Sequence, residues 1–321
     1  GHKPYGNEKK SFVKKILAGA GALALAALLG FWISQDRGGQ AEPKSLSISE
    51  PEAEASPSPA EEQTPAAAAE KEPVPTLRQT PEPTPGLAET LETVPAGTIV
   101  AEAEIDRSNL GLYFQAYEIS DRIFERIYGD DRSYKTYCTV PREDLRYVKV
   151  LHYGYDGQIR VGELLVNALL AEDMKEIFQI LFEHQYQIEK MFLIDDYGAD
   201  DNRSVNDNNT SCFNFRLVTN GGTLSNHAAG CAIDINPRQN PYYVILEDGT
   251  YTWENEDAQL YMDRDAPDAA ERHMITHADL CYQVFSQYGY SWGGDWGNPL
   301  DYQHFEKVVY EAEMPDAAVA E

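Results

Sequence analysis

The sequence predicts an α+β domain with a mostly antiparallel sheet and flanking helices, preceded by one transmembrane helix and a disordered linker. Strand-like segments are joined by short turns such as Asp156-Gly157 and Asp248-Gly249, a pattern typical of antiparallel hairpins. The helical patterns lie in blocks separate from these hairpins, which favours α+β over an alternating α/β fold. A charge-free apolar run and a proline-rich stretch come before the domain and predict the transmembrane helix and the linker.

The first 34 residues predict a membrane anchor. Residues 1–15 are rich in lysine, and the run from Ile16 to Ile33 carries no charge. Residues 16–34 are therefore long enough to span a bilayer as a helix. The lysine excess before this run predicts that residues 1–15 are cytoplasmic and that the rest of the chain lies outside the membrane. A cleaved signal peptide is the alternative, because the run is rich in alanine.

Residues 35–97 predict a disordered linker. Proline, alanine, glutamate, serine and threonine dominate this segment, as in the stretch from Thr80 to Pro85, and aromatic residues are almost absent. A chain of this composition buries too little apolar surface to offset the entropy lost on ordering. We expect it to act as an extended tether for the domain that follows.

Residues 98–321 predict the folded domain. Apolar residues recur at helical spacing in three segments, and short β-rich runs lie between them. The predicted helices are Leu110–Tyr128, Asn167–Gln185 and Ala278–Tyr288. The predicted strands are Val148–Tyr153, Gln158–Leu165, Met191–Ile194, Phe213–Val218, Cys231–Ile235, Tyr242–Ile245 and Gly249–Trp253.

Charge and cysteine content narrow the range of functions. The formal net charge is −27, which excludes a nucleic-acid-binding protein because such proteins need a basic face. The four cysteines are Cys138, Cys212, Cys231 and Cys281, and none forms a C-x-x-C pair, so a cysteine zinc knuckle is not expected. Disulfides and buried free thiols both remain open from the sequence.

Two segments combine residue types that bind divalent metals. His227 precedes Asp234 by seven residues, and Asp301 precedes His304 by three. Catalytic zinc sites use three protein ligands of imidazole and carboxylate type plus an open position. His227, Asp234 and His304 are the candidate ligands, and Asp301 is the candidate general base. Alone, each of these residues is more often an ordinary polar residue; the combination carries the hypothesis.

These segments resemble the VanY-like zinc D-alanyl-D-alanine carboxypeptidase family, which also includes L-alanyl-D-glutamate endopeptidases. Ser225 to Asp234 matches the pattern S-x-H-x-x-G-x-A-x-D. The stretches Phe213-Asn214-Phe215-Arg216 and Trp292-Gly293-Gly294-Asp295-Trp296, and the segment DYQHFE that begins at Asp301, are similar to that family in the same order. The resemblance covers roughly residues 105–310.

The resemblance implies a set of residue roles. His227, Asp234 and His304 would bind Zn²⁺, and Asp301 would be the catalytic carboxylate, which in some relatives is glutamate. Arg216 would polarise the scissile carbonyl or hold a substrate carboxylate, as a permanently charged guanidinium can. A structural salt bridge is the alternative for Arg216.

The implied protein is a single-pass bacterial membrane protein whose extracytoplasmic domain hydrolyses the stem peptides of peptidoglycan. D-alanyl-D-alanine carboxypeptidase activity is the expectation. An L-alanyl-D-glutamate endopeptidase with the same site and a non-catalytic cell-wall-binding module are the alternatives. A serine hydrolase is not expected, since the chain has no G-x-S-x-G motif.

Overall fold

The computed structural model describes residues 86–218, 221–253, 255 and 257–315. The predicted cytoplasmic segment, the transmembrane anchor and the linker up to residue 85 lie outside the described residues. Within the described ranges, no helix is both long and apolar enough to cross a membrane.

The largest sheet has four antiparallel strands in the order β1-β4-β3-β2. These strands are β1 (Ile99–Val100), β2 (Gln115–Glu118), β3 (Leu145–Tyr153) and β4 (Ile159–Asn167). The hairpin predicted around Asp156-Gly157 is confirmed as β3 and β4, which pair along their whole length from Leu145↔Asn167 to Tyr153↔Ile159. Both strands are buried almost throughout, because apolar residues of two clusters pack against them.

Short helices surround this sheet and confirm the α+β class. They are α1 (Leu87–Thr90), α2 (Asp121–Ile127), α3 (Ala171–Glu183), α4 (Asp201–Asn206) and α5 (Leu280–Gln287). The predicted amphipathic face of α3 is confirmed, since Met174, Ile177 and Leu181 are all buried in the core. Helix α5 packs against α3 through the rings of Phe178 and Phe285, whose centroids lie 6.4 Å apart edge to face.

The single helix predicted for Leu110–Tyr128 is wrong. The structure has a 3-10 helix at Arg107–Tyr113, then β2, and then α2. Ser120 is the N-cap of α2 and accepts a hydrogen bond from the Ile123 amide at 3.4 Å. The residues of β2, which precede this cap, form a strand because they pair with β3. Leu112, expected on the buried face, is exposed. The pairing of β2 with β3 thus determines the structure of this segment, although the spacing of its apolar residues also fits a helix.

Two three-stranded antiparallel sheets form the rest of the domain. Their strands are β5 (Ala232–Asp234), β6 (Tyr242–Ile245), β7 (Tyr251–Trp253), β8 (Ser291–Trp292), β9 (Leu300–Asp301) and β10 (His304–Glu306). One sheet has the order β5-β10-β8 and the other β7-β6-β9. The predicted strands Met191–Ile194 and Phe213–Val218 are instead irregular, tied to neighbours by isolated bridges such as Lys190↔Asn209 and Leu217↔Leu224.

Packing of the domain begins earlier in the chain than the predicted start at residue 98. Leu91 has no exposed surface, and the carbonyl of Val94 accepts a hydrogen bond from the buried ammonium group of Lys149 at 2.8 Å. The segment from Gly86 to Ala96, assigned to the linker from its composition, therefore lies against the large sheet. The few apolar side chains of this segment are enough to hold it there, because β3 and β4 already provide a surface against which they can pack.

Gly230 joins the large sheet to the loop that carries His227. Its φ is +65°, and a Cβ atom built on it would lie 2.6 Å from the backbone nitrogen of Asn167 at the end of β4. The Asn167 amide donates to the Gly230 carbonyl at 2.9 Å, and the Asn167 side chain donates to the Ala229 carbonyl at 3.0 Å. Only glycine combines this backbone conformation with this close approach.

We expect Gly230→Ala to destabilise the domain much more than Gly157→Ala. Both glycines have positive φ, so alanine should cost about 1–2 kcal/mol of backbone strain at each. Gly157 has open space around it, whereas Gly230 meets backbone atoms, which should add about 1–3 kcal/mol of overpacking. Chemical denaturation of both variants measures the difference; equal losses of unfolding free energy would contradict this packing.

Candidate metal centre

The pairing of β5 with β10 places two of the predicted ligands opposite each other. In this antiparallel pair His304 lies directly across from Asp234, and Phe305 lies across from Ile233. Directly opposed side chains share one face of a sheet and lie close together. Ile233 and Phe305 have no exposed surface and face the core. Asp234 and His304 therefore lie together on the other face.

A short 3-10 helix, Asn226–Ala229, supplies the third predicted ligand. Ser225 caps it by accepting a hydrogen bond from the His227 amide at 3.3 Å, and Gly230 ends it in the left-handed conformation. The His227 carbonyl accepts a hydrogen bond from the Asn214 amide at 3.1 Å. The backbone of His227 is thus fixed on both sides, and its side chain is buried.

The three candidate ligands converge on one point. His227 Nε2 lies 3.3 Å from the nearer Asp234 oxygen and 3.2 Å from His304 Nδ1, and His304 Nδ1 lies 3.2 Å from the other Asp234 oxygen. Tetrahedral ligands about 2.0–2.1 Å from zinc are about 3.3 Å from one another. The two nitrogens have this spacing from each other, and each has it from a different oxygen of Asp234, so these three residues could hold a metal ion.

Each imidazole has its second nitrogen engaged, which leaves the first free to bind a metal. His227 Nδ1–H donates to the Cys212 carbonyl at 2.5 Å, so Nε2 carries the lone pair. His304 Nε2–H donates to the Glu306 carboxylate at 3.0 Å, so Nδ1 carries the lone pair. Asn226 in turn donates to Glu306 at 2.7 Å. Hydrogen bonds of this kind fix the tautomer and orientation of metal-binding histidines.

Sequence reasoning assigned no role to Glu306. The signal was present, since Glu306 follows His304 by two residues in a strand, and residues so spaced share a face. Glu306 is partly buried beside the centre, and its hydrogen bond from His304 holds its own pKa below the usual range. The structure thus adds a positioning carboxylate to the predicted set.

Electrostatics at this point favour a cation. Burial alone would raise the pKa of Asp234, but the charges and hydrogen bonds of His227 and His304 hold it well below its usual range. Burial alone would lower the pKa of His304, but its hydrogen bonds to Asp234 and Glu306, with the charges of Asp234 and Asp301, raise it to about 10. Without metal, a proton on His304 offsets part of the negative charge of these carboxylates. A bound divalent cation would take the place of that proton.

Asp301 lies at the edge of the three ligands. Strand β9 pairs Asp301 with Tyr242 of β6, and one Asp301 oxygen lies 3.9 Å from His304 Nδ1. The carboxylate is largely buried. A Cβ atom on Gly293 would come within 2.4 Å of the Asp301 carbonyl oxygen, so Gly293 allows β9 to approach the turn after β8. The predicted general base is therefore beside the candidate ligands without being one of them.

Arg216 forms the salt bridge that was the alternative prediction for it. Its guanidinium contacts the Asp201 carboxylate, and Asn214 donates a hydrogen bond to the same carboxylate at 3.1 Å. Arg216 also lines a small polar pocket whose wall includes Asp234. The ion pair therefore holds the guanidinium beside the candidate metal centre, and the two predicted roles of Arg216 are compatible.

All four cysteines are free thiols, and three of them are buried. Cys212 and Cys231, whose bridge was one of the open predictions, each direct Sγ at a backbone carbonyl: Cys212 at Gly230 (3.7 Å) and Cys231 at Ala229 (3.6 Å). Burial raises the pKa of both thiols. Packing and hydrogen bonds brace the loop of His227 in place of a disulfide.

Trp296 borders the centre, whereas Trp292 belongs to the core. The Trp296 ring lies 5.2 Å from the His304 ring, centroid to centroid, and remains partly exposed. Trp292 is buried and donates from its indole N–H to the Tyr302 carbonyl at 2.8 Å. The open side of the centre is therefore bounded by one aromatic ring.

Replacing Glu306 by glutamine should weaken zinc binding about 10- to 100-fold. The amide can still accept a hydrogen bond from His304, but it lacks the charge that raises the basicity of the imidazole. Competition with a chromophoric chelator measures the affinity of the full chain. Glu313→Gln, at an exposed position, is the control. Unchanged affinity in Glu306→Gln would contradict the positioning role.

Zinc binding at pH 8 should release a proton from His304, whose pKa of about 10 keeps it protonated in the metal-free protein. The apparent affinity should consequently rise about tenfold for each pH unit up to that value. Calorimetric titrations in buffers of different ionisation enthalpy count the released protons. Metal binding without proton release at this pH would contradict a protonated His304 in the metal-free protein.

Residues 219–307 match the family model described as D-alanyl-D-alanine carboxypeptidase. The matched region contains His227, Asp234, Asp301 and His304, and it excludes Arg216. No curated protein and no solved structure gives a significant match. The family match confirms the resemblance to the VanY-like family that the sequence motifs indicate, and it supports a peptidase of the D-alanyl-D-alanine carboxypeptidase type.

Proposed function

We propose that the domain is a zinc-dependent D-alanyl-D-alanine carboxypeptidase that removes the terminal D-alanine from peptidoglycan stem peptides. The observation that carries the proposal is the convergence of His227 Nε2, His304 Nδ1 and the Asp234 carboxylate at mutual distances of 3.2–3.3 Å. A carboxylate and a guanidinium lie at the edges of this centre, as hydrolysis of a C-terminal peptide bond requires. The family match supports the same reaction class.

Zinc is the metal that this ligand set favours. Two imidazoles and one carboxylate with tetrahedral spacing are a common set in catalytic zinc sites, which keep a fourth position open. Zinc in such a site acts as a Lewis acid and lowers the pKa of water to about 7. Two buried imidazoles also suit zinc better than magnesium or calcium, which favour sites made wholly of oxygen ligands.

Asp301 is the residue proposed to move the proton. One oxygen lies 3.9 Å from the ligand atom of His304, so a water between Asp301 and the centre can hydrogen-bond to the carboxylate. A positioned carboxylate can accept the proton of that water and return it to the leaving amine. Aspartate has a shorter side chain than glutamate, and the close contact of β9 with Gly293 offsets this by bringing its backbone inward.

Arg216 is proposed to bind the terminal carboxylate of the substrate. Guanidinium groups bind carboxylates through two parallel hydrogen bonds. Asp201 fixes the orientation of Arg216 but leaves about a quarter of its side chain exposed, on the wall of the pocket that also contains Asp234. A substrate carboxylate at Arg216 would bring the preceding carbonyl towards the metal centre.

The proposal extends to the location of the domain. A charge-free run at residues 16–34 and a proline-rich segment at 35–97 support a single-pass bacterial membrane protein with its domain outside the membrane. A tether of this kind lets a peptidase reach many stem peptides of a fixed polymer. Peptidoglycan is then the proposed partner of the domain.

Asp301→Asn should abolish most of the turnover and leave zinc in place. Removal of a general base typically costs about 10²–10⁴-fold in kcat, and Asp301 is not a candidate ligand. The full chain is incubated with a stem pentapeptide and zinc, and the products are identified by mass spectrometry. His304→Ala should lose both zinc and activity, and Asp265→Asn, at an exposed position, should lose neither.

The products decide between the candidate activities. Loss of one terminal D-alanine, absent in Asp301→Asn, would support the carboxypeptidase. Cleavage after L-alanine would identify the endopeptidase instead. A zinc-loaded, folded wild-type protein that cleaves neither bond would contradict a peptidase function and favour the wall-binding alternative.

A further inference from the structure

The pocket between the candidate metal centre and Arg216 contains a polar group that the proposed mechanism does not use. This group is the side-chain amide of Gln303, which lines the pocket together with Asp234 and Arg216. Only 4% of Gln303 is exposed. Its Oε1 atom is buried and accepts no hydrogen bond from any residue that the structure describes. A buried amide oxygen left without a donor is costly, so its retention needs a reason.

The position of Gln303 is fixed by its backbone. It lies between Asp301 and His304 in the chain, and its carbonyl accepts a hydrogen bond from the Ile235 amide at 3.0 Å. This bond continues the pairing of β5 with β10 beyond Asp234. The backbone of Gln303 is therefore held beside the segment that carries the candidate ligands.

The other amide on the pocket wall is already engaged. Asn209 Oδ1 accepts a hydrogen bond from the Phe192 amide at 2.8 Å, and its Nδ2 donates to the Phe192 carbonyl at 3.0 Å. The Asp201 carboxylate is engaged with Arg216 and Asn214. Among the buried side-chain oxygens that the described residues contribute to this wall, Gln303 Oε1 is the one without a hydrogen-bond partner.

The proposed substrate has one donor that fits this acceptor. A C-terminal D-alanyl-D-alanine consists of the scissile carbonyl, one N–H group, and an α-carbon that bears the terminal carboxylate. With the carbonyl at the metal centre and the carboxylate at Arg216, the scissile N–H is the donor that lies between them. An acceptor that lines the same pocket would receive this N–H.

We propose that Gln303 is a specificity-determining residue whose Oε1 accepts a hydrogen bond from the N–H of the scissile amide. This inference rests on the proposed function. The residue distinguishes a peptide from an ester at the bond that is cut, because an ester has an oxygen where the peptide has N–H. A site built to bind a substrate N–H loses much of its affinity for an analogue that lacks it. It also fixes the orientation of the nitrogen that leaves as the amine.

The test compares two substrates and two variants of the full chain. The substrates are a stem peptide ending in D-alanyl-D-alanine and the matching depsipeptide ending in D-alanyl-D-lactate. Gln303→Met removes the acceptor at similar volume, and Gln259→Met is the control at an exposed position. Zinc content and thermal unfolding are measured for each protein, so that a loss of metal or of folding is visible.

We expect Gln303→Met to lower kcat/KM for the peptide at least about tenfold and to leave the value for the depsipeptide within about twofold. Taking the ratio of the two substrates cancels the higher intrinsic reactivity of the ester. An equal loss of kcat/KM on both substrates would show that Gln303 has a structural role. No loss on either substrate would show that its Oε1 does not act in the reaction. Either result would overturn the inference. A zinc-loaded wild type that cleaves neither substrate would instead overturn the proposed function, and the inference with it.

Discussion

The pairing of Asp234 with His304 across β5 and β10 is the constraint on which the candidate site depends. These two short strands hold three residue pairs in register, and the opposed pair at one end supplies two of the three donor atoms. A shift of β10 by one residue would turn His304 to the face opposite Asp234 and would turn Phe305 out of the core. The apolar contacts of Ile233 and Phe305 therefore fix the geometry of a polar centre.

The rest of the domain supports this strand pair from both sides. On one side the large sheet holds Gly230, and through it the 3-10 helix with His227, against the end of β4. On the other side β10 pairs with β8, and the Phe305 ring stacks on Phe285 of α5 at 4.6 Å between centroids. Because the centre gathers carboxylates and imidazoles in a buried position, it could hold a cation, and the packing on both sides keeps these groups together.

Local patterns in the sequence predicted most of the candidate site but only part of the fold. The ligand set His227, Asp234 and His304 could be predicted because each of these residues is of a type that binds metals. One lies before a predicted strand, one within it and one in a second segment. The β3–β4 hairpin and the buried face of α3 were readable because turn residues and apolar spacing agree there. The structure of the segment from Leu110 to Tyr128 could not be predicted in this way. Its apolar spacing looks like one continuous helix, but strand pairing with β3 and the Ser120 cap divide it.

What sequence could not predict is which polar groups meet in space. The contact of Arg216 with Asp201 joins an irregular segment to helix α4, and no spacing rule connects the two residues. The buried amide of Gln303 looks like an ordinary polar residue between two functional neighbours until its surroundings are known. The role of Glu306 could be predicted in part. Its two-residue spacing from His304 indicates that the two side chains share a face, but it does not indicate a hydrogen bond between them.

The central claim, that His227, Asp234 and His304 bind zinc, is tested most directly by X-ray absorption spectroscopy at the zinc edge on the full chain loaded with one equivalent of metal. The account predicts four nitrogen or oxygen neighbours at about 2.0–2.1 Å with the multiple scattering of two imidazoles. His304→Ala, which should lose zinc, should not give this signature. A sulfur neighbour at about 2.3 Å, or a first shell without imidazole, would contradict the account.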